Sequence, residues 1–310
     1  MKNIYAIVIT YNGFEWIEKC LNSLVNSTLL PKIIVIDNGS TDSTITFIKQ
    51  NFKSVNLIQS KINLGFGQAN NIGLKIALEN NCDYAFLLNQ DAWLENEHTL
   101  LNLVNAFETN PNLGILSPLH LNGQGTALDL YFADYLQQSD IGNTTPAQIL
   151  NQKQPNSIIN TTFVNAAAWL ISAACIKKIG GFDPIFFHYG EDRNYTQRIL
   201  YHGLKIGICP QAIILHDREQ RLVPLTSNPT LNLKIDWLND LNLFCDIHQK
   251  NYKSLIFKRI IRHFVLMFVS ISNPEKFKYH YPMLKNTVFF LNKIERSRKI
   301  SLTKRSMAHL

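Results

Sequence analysis

Leu87-Leu88-Asn89-Gln90-Asp91-Ala92 is an apolar run that stops at an acid-bearing polar step. Such a step hangs a carboxylate beyond the C-terminal end of a strand, the edge at which open α/β sheets bind ligands. A carboxylate there suits a divalent cation that bridges to a phosphate, although an Asp after a strand also serves to cap the next helix. Two upstream stretches decide between the readings. Ala6-Ile7-Val8-Ile9-Thr10-Tyr11-Asn12 and Ile33-Ile34-Val35-Ile36-Asp37-Asn38-Gly39-Ser40-Thr41-Asp42 repeat the pattern, and helical periodicity follows each. Three strands therefore end on one polar rim.

The surrounding chain reads as strands over 4–9, 32–37, 55–59 and 84–88, alternating with helices over 14–26, 42–51, 67–80 and 97–108. That alternation implies a mostly parallel sheet joined by right-handed crossovers. From 119 to 160, Gly123, Gly125, Gly142, Pro146 and Pro155 punctuate polar sequence, which predicts a long connection. A strand over 159–165, an apolar helix over 167–178, a turn at Gly180-Gly181-Phe182-Asp183-Pro184, a helix over 191–202 and short strands near 205–209 and 212–215 follow.

The 310 residues are 46% hydrophobic, enough for a substantial core, with a formal charge of +7. Cys20, Cys82, Cys175, Cys209 and Cys245 are odd in number and lack Cys-x-x-Cys spacing, against both a disulfide framework and a zinc site. The N-terminus reads as the first strand, without a signal peptide's cleavage site.

Three further clusters carry chemistry. Glu191-Asp192 follows an aromatic run, Phe186-Phe187-His188-Tyr189, and Gly190. Adjacent acids at a helix start are common dipole partners, yet an Asp lined by aromatics is also raised toward the range of a general base. Ile213-Ile214-Leu215-His216-Asp217 is a strand ending on an imidazole that suits either a structural hydrogen bond or a metal. Asn63-Leu64-Gly65-Phe66-Gly67-Gln68-Ala69-Asn70-Asn71-Ile72-Gly73 is a glycine-bearing helix entry whose amides could approach a phosphate. Its Gly-x-Gly-x-x-Asn spacing, after the third strand, is not the dinucleotide fingerprint.

Together these clusters resemble glycosyltransferase family 2, inverting enzymes of GT-A fold, over roughly residues 4–217, and among them the rhamnosyltransferase-like enzymes of bacterial surface polysaccharides. The resemblance rests on Thr10-Tyr11-Asn12, on Asp37-Asn38-Gly39-Ser40 with Asp42, and on the loop holding Asn63, Gly65, Ala69, Asn71 and Gly73. Asn89-Gln90-Asp91 stands at the Asp-x-Asp metal motif and Glu191-Asp192 at the Glu-Asp motif. It implies a nucleotide-diphospho-sugar transferase sheet with a helical C-terminal extension. Thr10, Tyr11, Asn12, Asp37, Asn38, Gly39, Asn63, Gly65, Phe66, Asn70, Asn89 and Gln90 are then the donor-binding set, Asp91 and His216 ligands of Mn²⁺ or Mg²⁺, and Asp192 the base beside Glu191. Asn89 replaces the first acid of the metal motif, and Asn194 an acid often found two residues after the base. The Val164–Ser172 stretch matches a segment beside the acceptor, where Trp93 and Trp169 are candidate sugar-stacking residues.

The resemblance also implies the domain plan and partners. Residues 1–220 would form the catalytic domain, with a nucleotide-binding half (1–118) and an acceptor-side half (119–220), and 221–310 a basic helical extension. The expected donor is a UDP- or dTDP-linked sugar, with rhamnose, glucose, galactose and N-acetylhexosamine all open, and the expected acceptor a glycan or lipid-linked saccharide. Nucleic acid is not expected. Helices over about 232–250, 252–271 and 275–296 mix bases with apolar faces, and Arg296, Arg298, Lys299, Lys304 and Arg305 add charge. That pattern suits either packing on the catalytic domain or an anionic membrane surface, so the expected location is cytoplasmic, with peripheral attachment open. A non-catalytic nucleotide-sugar-binding scaffold is the alternative function.

Overall fold

The computed structural model describes residues 2–137, 158–218, 229–303 and 307–310. The predicted boundary at 220, Lys304, Arg305 and residues 138–157 of the 119–160 connection lie outside these residues. The chain divides into two compact units, Met1–Leu222 with Arg305–Leu310, and Val223–Lys304.

The first unit is built on strands β1 (Ile4–Thr10), β2 (Lys32–Asp37), β3 (Asn56–Gln59), β4 (Tyr84–Asn89), β5 (Ala92–Leu94), β6 (Leu113–Asn122), β7 (Ile159–Thr161), β8 (Ala168–Ser172) and β9 (Lys205–His216). Its helices are α1 (Ile17–Val25), α2 (Thr44–Asn51), α3 (Phe66–Glu79), α4 (Thr99–Glu108), α5 (Leu130–Gln137), α6 (Ala173–Ile179) and α7 (Glu191–Tyr201). The strands form one sheet in the order β3-β2-β1-β4-β8-β6-β9-β5, with β7 also paired to β9. β3, β2, β1 and β4 run parallel, while β8 lies antiparallel between β4 and β6.

Alternation along each strand divides the core into two layers. Ile4, Ala6 and Val8 face Leu21 and Leu24 of α1 and Leu100 and Leu103 of α4. Ile7, Leu87 and Ile115 face Leu74 of α3, Ile176 of α6 and Tyr195 of α7. Gly73 allows α3 to approach closely, since a Cβ there would stand 2.5 Å from Cγ2 of Ile7. All five cysteines are buried free thiols. Burial raises the Cys20 thiol strongly and pushes Cys82 and Cys175 up to about 11 and 12.

Several sequence expectations give way. Residues 168–172, expected to begin a helix, are central strand β8, pinned at Ala168↔Leu88 and Leu170↔Leu116, and only 173–179 is helical. The strand expected over 159–165 is confined to Ile159–Thr161. The supposed irregular region contains the last four residues of β6, a strand buried along its whole length, and helix α5. Two expected short strands are one, β9, whose pairing with β6 shifts register between Pro118 and Leu119.

The second unit comprises α8 (Pro229–Cys245), α9 (Tyr252–Val269) and α10 (Pro274–Leu302). Trp237, Leu241, Phe244, Ile256, Met283 and Ile294 are buried. The Arg298 guanidinium donates to the carbonyls of Phe244 and Gln249 at 2.9 and 2.8 Å. No described helix is long and apolar enough to cross a membrane.

Candidate active site

The ends of β1, β2 and β4 form a hydrogen-bonded rim. Gln90 accepts from Thr10 Oγ1 at 2.7 Å and from the Tyr11 amide at 2.9 Å, and its Nε2 donates to the Tyr11 carbonyl at 3.2 Å. Its side chain is thereby committed to joining two strand ends. Asn12 turns the chain with φ +48°, and its Oδ1 accepts from the Thr41 amide at 2.8 Å. The buried Asp37 carboxylate accepts from the amides of Gly39 and Ser40 at 3.2 Å, which shapes the loop after β2.

That loop is tied to the entry of α3. Asn38 Nδ2 donates to Asn63 Oδ1 at 3.0 Å, and Asn38 Oδ1 accepts from the Leu64 amide at 2.8 Å. Gly65, at φ +80° and ψ 164°, occupies a region open essentially to glycine alone. A Cβ there would meet the Phe187 carbonyl oxygen at 2.0 Å, so the loop closes directly on the segment ahead of Glu191. Phe66 packs edge-on against Phe182, and the buried Asn70 amide returns to the Phe66 carbonyl at 3.0 Å. Asn71 accepts from the Phe182 amide at 2.7 Å and donates to the carbonyls of Phe182 and His309 at 2.8 and 3.0 Å.

Beyond β4, Asp91 and His216 meet because β5 pairs Ala92 with His216 of β9. Both are buried, with Asp91 Oδ2 3.6 Å from His216 Nε2. The opposite ring nitrogen, Nδ1, faces Asp129 Oδ2 at 3.6 Å. Asp129 caps α5 by accepting from the Phe132 amide at 2.9 Å, and it pairs bidentately with Arg218, whose Nε donates to Oδ2 at 2.6 Å. Buried His120 stacks on Phe132, and its Nε2 is 3.1 Å from Ser117 Oγ. Burial, with His216 and Arg218 nearby, holds His120 well below the usual imidazole range.

A divalent ion with bonds of about 2.1 Å reaches two atoms up to about 4.2 Å apart, so the facing Asp91 and His216 atoms fit one ion. Among the described residues no group of three His, Cys, Asp or Glu forms a complete cage. A two-residue donor set is the kind Mg²⁺ uses when substrate phosphates supply further ligands. Asn89, at the first position of the motif, binds through its backbone amide to the Ala167 carbonyl at 2.8 Å.

Glu191 and Asp192 open α7 after Gly190, where the helix N-terminus favours carboxylates. Glu191 is buried beneath Gly67, while Asp192 is half-buried and accepts from the Arg193 amide at 2.7 Å. Burial raises the Asp192 carboxyl above its ordinary value, against the lowering influence of the Arg193 and Ala166 amides. The Tyr135 phenol on α5, pushed up to about 12 mainly by burial, also feels Asp192, Arg218 and Asp129. Helix α5 thus carries Tyr135, whose phenol feels the Asp192 charge, and is capped by Asp129 of the His216 cluster.

Asn194, where an acid is often found, accepts from Arg198 Nε at 3.1 Å, and Arg198 donates onward to the carbonyls of Ile179 and Gly181. Trp169 departs from expectation: it is wholly buried, stacked 6.0 Å from Phe182, and serves the core. Trp93 is half-buried with the Lys19 ammonium 4.9 Å above its ring. Sequence reading missed His120, Asp129, Tyr135 and Arg218. Arg218 follows His216 by two residues, and Asp129 precedes an apolar helical run as a cap would.

The mixed sheet with three parallel strand ends, flanked by helices, is a fold of GT-A type. The fold aligns with the mannosyltransferase PcManGT from Pyrobaculum calidifontis in complex with GDP-Man and Mn²⁺ at TM-score 0.52 and 16% identity, covering 97% of this chain and 74% of that one. The profile described as glycosyl transferase family 2 matches residues 5–166, and the chain belongs to that family. It is 23% identical over 216 residues to the dTDP-rhamnosyl transferase RfbF of Shigella flexneri, covering 69% of each chain. It is 24% identical over 219 residues to the O-antigen chain rhamnosyltransferase RfbN of Salmonella typhimurium, covering 69% of this chain and 66% of the relative. The chain is a glycosyltransferase, of a kind found in polysaccharide synthesis.

Proposed function

We propose that this glycosyltransferase inverts the anomeric centre as it moves one sugar, rhamnose in the first instance, from a dTDP- or UDP-linked donor to a glycan or lipid-linked saccharide. The likeness to dTDP-rhamnosyl and O-antigen chain rhamnosyltransferases supports the donor and acceptor classes. The observation that carries the mechanism is the buried Asp91–His216 pair, 3.6 Å apart, together with the raised Asp192 carboxyl at the start of α7.

In this reading Asp192 accepts the proton of an acceptor hydroxyl as that oxygen bonds to the anomeric carbon. The bond from that carbon to the nucleoside diphosphate breaks on the opposite face, and its electrons leave with the diphosphate. One displacement without a covalent sugar–enzyme intermediate inverts the centre, by the logic that separates inverting from retaining glycosidases. Asp91 and His216 would hold Mn²⁺ or Mg²⁺, whose charge offsets that of the departing diphosphate. Thr10, Tyr11, Asn12, Asp37, Asn38, Gly39, Asn63, Gly65, Phe66, Asn70, Asn89 and Gln90 form or brace the donor pocket, and Glu191 supports the base. Trp93 is the remaining aromatic candidate on the acceptor side. Residues 1–220 act as the catalytic domain and 221–310 as its helical extension, working in the cytoplasm beside the membrane.

Proton NMR of the product tests this reading. Transfer from dTDP-rhamnose with inverted anomeric configuration supports it, and retained configuration or no Asp192 dependence refutes it.

A further inference from the structure

The second unit carries a surface that the transfer chemistry does not use. Val223–Lys304 contains 14 Lys and Arg against five Asp and Glu, a net charge of +9, while the other unit, with 16 against 18, is at −2. The whole positive excess of the chain therefore falls in the second unit.

On α9, Phe257, Ile261, Phe264, Val265 and Phe268 fall within an arc of about 100° and face outward. The opposite side holds the buried Ile256 and His263. On α10, Tyr281, Val288 and Phe289 recur at helical spacing and are also exposed. Each of these eight side chains is between 46% and 66% exposed. Single exposed apolar residues need no explanation, but a run of this length marks a contact surface. Lys253 borders the α9 stripe on one side and Lys258 and Arg262 on the other, with Lys285 and Lys293 on α10. The Lys293 ammonium sits over the rings of Phe289 and Phe290, 4.7 Å from each centroid.

We infer that α9 and α10 lie on an anionic lipid bilayer, with the Phe257–Phe268 stripe in the headgroup boundary and the flanking Lys and Arg on lipid phosphates. Aromatic side chains at the boundary with bases at their edges are the pattern of an interfacial helix. The charge argues against a second copy of this chain, because pairing two such faces sets like charges together. The inference stands apart from the catalytic reading, since lipid binding needs neither donor nor metal.

The test is co-sedimentation of the full chain with sucrose-loaded vesicles, either phosphatidylcholine alone or with about one third phosphatidylglycerol. Binding at least about tenfold tighter to the anionic vesicles is expected, weakening as salt rises. The F264S/F268S double variant and the K258E/K285E double variant should each lose about tenfold or more, with melting temperatures matching the parent. These positions are exposed, so folding is preserved, and transfer to a soluble acceptor should be unchanged. Equal affinity for both vesicle types, or parental binding by both variants, overturns the inference. A dimer in light scattering that F264S/F268S abolishes, without vesicle binding by the parent, assigns the stripe to a second copy and also overturns it.

Discussion

Asp129 Oδ2 stands 3.6 Å from Nδ1 of His216, the ring nitrogen opposite the one that faces Asp91. The ring is thus set between two carboxylates, and Arg218 fixes the outer one. A carboxylate behind an imidazole ligand orients the ring and raises its basicity, and loss of such a partner commonly weakens metal binding about 10- to 100-fold. Asp129→Asn should therefore lower Mn²⁺ affinity by about that factor in calorimetry with donor nucleotide present. Unchanged affinity would show that the ring is held without Asp129.

Asp192→Asn should lower kcat by about 10²- to 10⁴-fold with little change in donor affinity. The same variant tests the cause of the raised carboxyl. Because burial raises the folded-state pKa, the folded protein holds this proton more tightly than the unfolded chain does, and stability falls as pH rises from the ordinary value through the raised one. Above that window the parent keeps a disfavoured charge that the amide lacks. The variant should melt higher than the parent at neutral pH, and a lower melting point would contradict burial as the dominant cause.

Gly65→Ala would place a methyl on the Phe187 carbonyl in a backbone region that costs about 1–3 kcal/mol for other residues. The expected result is a lower melting temperature and a higher donor KM, with a smaller change in kcat. A donor KM equal to the parent's would separate this loop from the donor pocket.

In the helical unit, Nδ1 of His263 and Nδ1 of His280 are 3.0 Å apart. Burial, His280, Arg259 and Arg262 push His263 down to about 4, and Asp236 opposes them. The unfolded chain then takes up a proton at higher pH than the folded one, so stability is full above about 6.5 and is lost as pH falls toward 4. Hydrogen exchange of peptides across 256–283 should accelerate in that window, and His263→Gln should flatten the change. An unaltered pH profile in the variant would remove His263 as its source.

The parallel half was legible because β1, β2 and β4 each pair an apolar run with a polar stop, and the helices between them keep their period. Asp91 and His216 could be read from the same strand-end pattern. The second half was less legible. Ala166-Ala167-Ala168-Trp169-Leu170-Ile171-Ser172 has helix-favouring alanines and no alternation, and only its place between β4 and β6 makes it a strand. In β6, Pro118 disguises a fully buried strand and sits at the register shift that accommodates it. Asp129 and Tyr135 were hidden in sequence marked by glycine and asparagine, and their roles arise from partners about 60 to 90 positions away. Trp169 looked like a stacking platform because its aromatic identity is visible in sequence and its burial is not.

The five native thiols, all enclosed, bear on how the helical unit can be observed. A cysteine installed at Phe268 or Val288 would present a reactive group to solvent while the natural ones stay shielded. An environment-sensitive dye can then be attached there without first replacing any cysteine. The otherwise unaltered enzyme would carry its own reporter, and the colour of the dye's emission would register water or hydrocarbon at a chosen turn of the helix during turnover.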